Sequence, residues 1–139
     1  MNDPDNLIFV YGTLLLKSGL PVIDFFHKNS SFVEGATFTG KLFEIDGYPG
    51  AVFSPDSRTL VHGKVFRMLD SKRVLAELDV YEETGTQFPD PNEYVRKKLV
   101  VQTFSGAKLN CWVYLYNWPV EELYQISSGN YLVFRNWKE

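Results

Sequence analysis

Cysteine occurs once, as Cys111, and histidine only twice, as His27 and His62. No intrachain disulfide can form, and three such residues in separate segments do not make a metal-ligand set, so no metal and no cofactor are expected. Cys111 sits among Leu109, Trp112 and Val113 and reads as a small buried hydrophobe, in keeping with a reducing, cytoplasmic setting. Positive charge is scarce as well. Lys and Arg total 14 against 17 Asp and Glu, a formal net charge of −3. The one basic run, Arg96-Lys97-Lys98, falls inside a strand pattern and reads as a solvated face, which argues against a nucleic-acid partner. No apolar run approaches the ~20 residues of a membrane span, and the opening Met-Asn-Asp-Pro-Asp-Asn lacks the basic start of a signal peptide, so no membrane partner is expected. Without repeats, low-complexity tracts or linkers, residues 1–139 are read as one domain, long enough to bury a core unaided.

What is abundant is apolar and aromatic. Hydrophobic residues make up 45% and Phe, Tyr and Trp 16%, which points to a sheet-rich core or an aromatic-lined pocket. The chain is organised around Leu7-Ile8-Phe9-Val10-Tyr11-Gly12-Thr13-Leu14, a short buried strand emptying into a tight turn. Glycine there permits positive φ or a close approach, and such a turn aims backbone N–H groups at one point, where an anion or carbonyl oxygen fits. A turn of this kind also serves simply to reverse the chain, and by itself it assigns nothing.

Further on, Pro21 to Lys28 reads as a short helix with Val22, Phe25 and Phe26 on one side and His27 at its rim. Ser31 to Ile45 alternates imperfectly, with Gly35 and Gly40 marking bends where a sheet curls. Asp46 to Gly50 is a turn, Ala51 to Phe53 a short strand, and Leu60 to Met68 another. Asp70-Ser71 caps a helix through Leu78. Thr84 to Glu93, rich in Gly, Pro, Asp and Asn, is a long loop. Tyr94 to Phe104 and Leu109 to Tyr116 form an antiparallel pair about Ser105-Gly106-Ala107, with Trp112, Tyr114 and Tyr116 on one face. Pro119 to Ile126 is expected to make a helical turn or two, before a last apolar piece, Tyr131 to Phe134.

The helix after Ser71 carries the second clue. At ~100° per residue, with Val74 at 0°, Leu78 falls near ~40°, Glu82 near ~80° and Leu75 near ~100°, whereas Asp79 and Glu83 lie toward solvent at ~140° and ~180°. If the helix persists to Glu82, that carboxylate projects from the apolar stripe. It is then either a member of a structural ion pair, with Arg67, Arg73 or Arg96 as candidate partners, or a functional group with a raised pKa.

Together these pieces resemble the gamma-glutamylcyclotransferase-like family, including the gamma-glutamylamine cyclotransferases. The resemblance rests on Tyr11-Gly12-Thr13-Leu14 after an N-terminal strand, Tyr48-Pro49-Gly50, Leu78-Asp79-Val80-Tyr81-Glu82 and Tyr94-Val95-Arg96. It extends to Trp112-Val113-Tyr114 and Ser128-Gly129-Asn130-Tyr131, in the family's order over nearly the whole chain. It implies an α+β fold, a small curled mixed sheet or partial barrel with flanking short helices and a pocket at the strand ends. It also implies that Tyr11, Gly12, Thr13 and Leu14 hold the substrate and that Glu82 is the catalytic general acid and base. Tyr94 joins them as a substrate-binding candidate, and Tyr116 is a weaker one. One departure is that many relatives carry glycine directly after the glutamate, where this chain has Glu83. The expected activity is release of 5-oxoproline from a gamma-glutamyl amine, amino acid or peptide by a monomer or weak homodimer. The alternative is a non-catalytic small-molecule binding domain with the same pocket. A third reading, an interaction module, would use the Trp112, Tyr114 and Tyr116 face as an exposed patch.

Overall fold

A computed structural model describes residues 5–16 and 19–137; the expected acidic start at Met1–Pro4, the Lys17-Ser18 link and the last two residues lie outside it. Seven strands and three short helices follow one another, with β1 (Leu7–Val10) leading into a single 3-10 turn, Thr13–Leu15. Helix α1 (Pro21–Lys28) precedes β2 (Ser30–Glu44), β3 (Pro49–Phe53) and β4 (Leu60–Met68). Helix α2 (Ser71–Tyr81) then gives way to a loop, β5 (Tyr94–Thr103), β6 (Lys108–Tyr116), the two-residue β7 (Tyr124–Gln125) and α3 (Tyr131–Arg135).

The sheet order is β3-β2-β4-β1-β6-β5, and β5 returns to β2 through Ala36 opposite Thr103 and Thr37 opposite Gln102. Strands β2, β4, β1, β6 and β5 thus close on themselves as a barrel, with β3 and β7 added to the far part of β2. The expected curled sheet goes all the way to closure. β1 lies antiparallel to β4 and parallel to β6.

Alternation divides β1 between two cores. Phe9 and, just past the strand, Tyr11 pack inward with Phe38, Val61, Val65, Val101, Cys111 and Val113. Ile8 and Val10 face outward to Ile23 and Phe26 of α1 and Val74, Leu75 and Leu78 of α2. Burial on both faces explains the unbroken apolar run, since Ile8, Phe9 and Val10 are all buried and only Leu7 at its start is partly exposed. Cys111 is buried as expected, and burial pushes its thiol up to about 12.

Three expectations need correction. Pro119 to Ile126 makes one turn and no helix, because Tyr124 and Gln125 pair with Glu44 and Phe43 and the Ile126 N–H bonds the Leu42 carbonyl at 2.8 Å. The basic run is not simply solvated: Lys97 is exposed, Lys98 pairs with Asp5, and Arg96 makes an ion pair described below. The face of Trp112, Tyr114 and Tyr116 is covered, both tyrosines being buried, which removes the patch that an interaction module would need.

Candidate active site

Beyond the last residue of β1 the chain turns inside a cavity of about 310 Å³ lined by Tyr11 to Leu14, Tyr48, Pro49, Tyr81 to Glu83, Glu93, Tyr94 and Tyr114, among others. Gly12 is there for space. Its φ of −131° is not left-handed, and a Cβ would stand 2.8 Å from Pro49 Cγ. The turn is pinned from α1, where His27 Nε2 lies 2.9 Å from the Leu14 carbonyl and 2.6 Å from that of Leu16. Two acceptors on one nitrogen require that it carry the proton. None of the Gly12, Thr13 and Leu14 N–H groups finds an acceptor among the described residues, while Thr13 Oγ1 lies 3.1 Å from the Tyr81 hydroxyl.

Helix α2 brings the carboxylate. Asp70 caps it by accepting from the Arg73 N–H, and Val74, Leu75 and Leu78 seat it on the barrel. The helix ends at Tyr81, yet the Glu82 N–H still bonds the Leu78 carbonyl at 2.8 Å, so Glu82 stays on the helical path and enters the cavity. Its carboxyl has no hydrogen-bond partner among the described residues. Burial first, and the charge of Glu93 second, raise its pKa from 4.5 to about 7. Glu83 follows at φ 54°, the left-handed conformation that glycine adopts freely. Glu83 also lines the cavity, though its residue is exposed.

None of the three arginines offered as partners reaches Glu82. Arg96 instead makes a two-pronged pair with Asp79 at 2.8 and 3.0 Å and lies 4.4 Å from the Trp112 ring centroid, while the Tyr114 hydroxyl donates to Asp79 at 2.7 Å. This brace ties the last turn of α2 to β5 and β6. A second tie runs from Thr84 Oγ1 to the Tyr94 carbonyl at 2.6 Å.

Cavity tyrosines divide by what their hydroxyls do. Tyr11 donates to the Tyr114 carbonyl at 2.6 Å and accepts from the Ala51 N–H at 3.1 Å, and Tyr94 donates to the Pro49 carbonyl at 2.5 Å. Both phenols are buried and pushed upward in pKa by that burial, so they present ring walls to the cavity. Tyr116 packs behind them against Gly50, outside the lining. Leu14 lines the cavity as an apolar, buried wall. Sequence reasoning missed Glu93, whose Oε2 accepts from the Tyr48 hydroxyl at 2.6 Å. It ends a loop-like stretch, and its one signal was adjacency to Tyr94. Among the described residues no group of His, Cys, Asp and Glu could hold a metal, and no helix is long and apolar enough to cross a membrane.

A small closed barrel with a glycine turn and, at the same end, a glutamate that no described residue pairs with defines a class. Residues 8–133 match the family described as gamma-glutamyl cyclotransferase, AIG2-like, and the chain belongs to that family. It is 37% identical over 132 residues to the gamma-glutamylcyclotransferase family protein ytfP of Citrobacter rodentium, covering 90% of this chain and 94% of that one. The solution structure of ytfP from Escherichia coli superposes with a TM-score of 0.64 at 33% identity, over 93% of this chain and 98% of that one. YkqA of Bacillus subtilis shares the fold, with a TM-score of 0.67 at 23% identity; the match covers 95% of this chain but 43% of YkqA.

Proposed function

We propose that the protein is a gamma-glutamyl cyclotransferase that releases 5-oxoproline from a gamma-glutamyl amine, amino acid or peptide. The observation that carries this reading is Glu82: among the described residues its carboxyl has no partner, it is poised near neutrality, and it stands in a cavity whose glycine turn offers N–H groups that no described residue accepts from. The α-ammonium of the substrate gives a proton to the Glu82 carboxylate. The freed nitrogen attacks the γ-carbonyl carbon and the new C–N bond closes a five-membered ring; the old amide C–N bond breaks as Glu82 returns its proton to the leaving nitrogen, and the second proton shed by the ring nitrogen also goes to the departing amine, which leaves as an ammonium. Nucleophile and electrophile share one molecule, so no enzyme nucleophile is required, and holding the bent conformer supplies much of the rate. Backbone N–H groups of Gly12 and Thr13 hold the substrate carboxylate or the developing oxyanion.

The test is incubation with a panel of gamma-glutamyl compounds, following 5-oxoproline. Product is expected from wild type, and Glu82→Gln should fold normally and turn over roughly 10² to 10⁴ times more slowly. Thermal stabilisation by the compounds without product would mark a binding domain instead.

A further inference from the structure

Three carboxylates, Glu82, Glu83 and Glu93, line the cavity, and no Lys, Arg or His among the described residues does. The reaction proposed above employs one of them. Glu83 is exposed at the rim, which leaves Glu93. Its position is fixed: the Tyr48 hydroxyl holds Oε2 at 2.6 Å, and its own carbonyl accepts from the Asn117 N–H at 2.7 Å. Oε1 has no partner among the described residues. Beside it stand the rings of Tyr48 and Tyr94, 6.4 Å apart between centroids. An oriented carboxylate oxygen flanked by aromatic rings suits a cation. It repels a carboxylate, which would meet no basic side chain here to offset the repulsion.

We infer that Glu93, held by Tyr48, is a second subsite that binds a positive charge on the leaving group, so that the preferred substrates are gamma-glutamyl amines whose released amine carries a further ammonium. This rests on the reading that the cavity takes gamma-glutamyl compounds. The α-ammonium is consumed by cyclisation next to Glu82, whereas the subsite serves the half of the substrate that departs. Leaving groups ending in a carboxylate, such as amino acids and peptides, are selected against.

Three probes of matched length separate the charges: gamma-glutamyl cadaverine with a terminal ammonium, gamma-glutamyl pentylamine with none, and gamma-glutamyl aminohexanoate with a carboxylate. Both kcat/KM from 5-oxoproline release and Kd by calorimetry are measured. Wild type should favour the ammonium probe over the neutral one by about tenfold, and the neutral over the carboxylate probe by a similar factor, the size of one charge-assisted contact. In Glu93→Gln the ratio between ammonium and neutral probes should fall to near one. Tyr48→Phe, which frees the carboxylate without removing it, should lower the ratio part of the way and covers the case in which Glu93→Gln does not fold. No charge preference in wild type, or an unaltered ratio in folded Glu93→Gln, overturns the subsite. Charge-ordered Kd values without 5-oxoproline would overturn the catalytic reading and leave the subsite standing. Product without charge order does the reverse, and neither binding nor product overturns both.

Discussion

Glu82 sits where its ionised form is disfavoured, and that has a cost whose sign follows from its pKa of about 7. In the unfolded chain the same group titrates near 4.5, so between these values the native protein holds a proton that the unfolded chain has lost. The burden on stability is absent below the lower value, grows as pH rises, and levels off above about 7 at on the order of 3 kcal/mol at most. Glu82→Gln should therefore stabilise the fold near neutral and alkaline pH and do little in acid, which denaturant midpoints at several pH values will show. The groups facing Glu82 are the charge of Glu93 and the phenols of Tyr11, Tyr94 and Tyr114, all three neutral in this range. If Glu82 takes the substrate's proton, kcat/KM should rise through about pH 7, and Glu93→Gln should move that rise to lower pH by removing a like charge. Its neighbour Glu83, at φ 54°, is strained. Glu83→Gly should gain about 1 kcal/mol in equilibrium unfolding, the usual cost of a side chain in that region.

The end of α2 is the element that decides where the carboxyl points. Asp79 receives both Arg96 and Tyr114, and its side chain is 23% exposed. Asp79→Ala leaves a guanidinium and a phenol without their acceptor, so a loss of about 2 kcal/mol in stability is expected, along with a turnover defect from a loosened Glu82. Arg96→Lys should recover little, because an ammonium cannot make the two-pronged contact. Much of this element was legible in the sequence. The Asp70 cap and the spacing of Val74, Leu78 and Glu82 follow from helix geometry alone, as does the doubly buried run of β1 from its lack of polar positions. Asp79 was read as solvent-facing, because its partners come from strands that no local pattern connects to it. Glu93 was illegible for the same reason: its meaning comes from Tyr48, across the cavity. Pro119 to Ile126 had local helix character that pairing with β2 overrode.

At the scale of the molecule, the barrel closes through two pairs between β2 and β5, and β1 is held between β4 and β6. A chain cut before Lys108 would leave β1 with one neighbour and the inner core without Cys111 and Val113. Such a fragment should lack a cooperative thermal transition, which calorimetry of the truncated protein will test.

The lodging of β1 also sets an order of events during synthesis. Tyr11 to Leu14 leave the ribosome well before Lys108–Tyr116, the strand that flanks β1 on its second side. The residues that would cradle the substrate are thus made before the strand that fixes them, so a nascent chain acquires its pocket only once β6 has emerged.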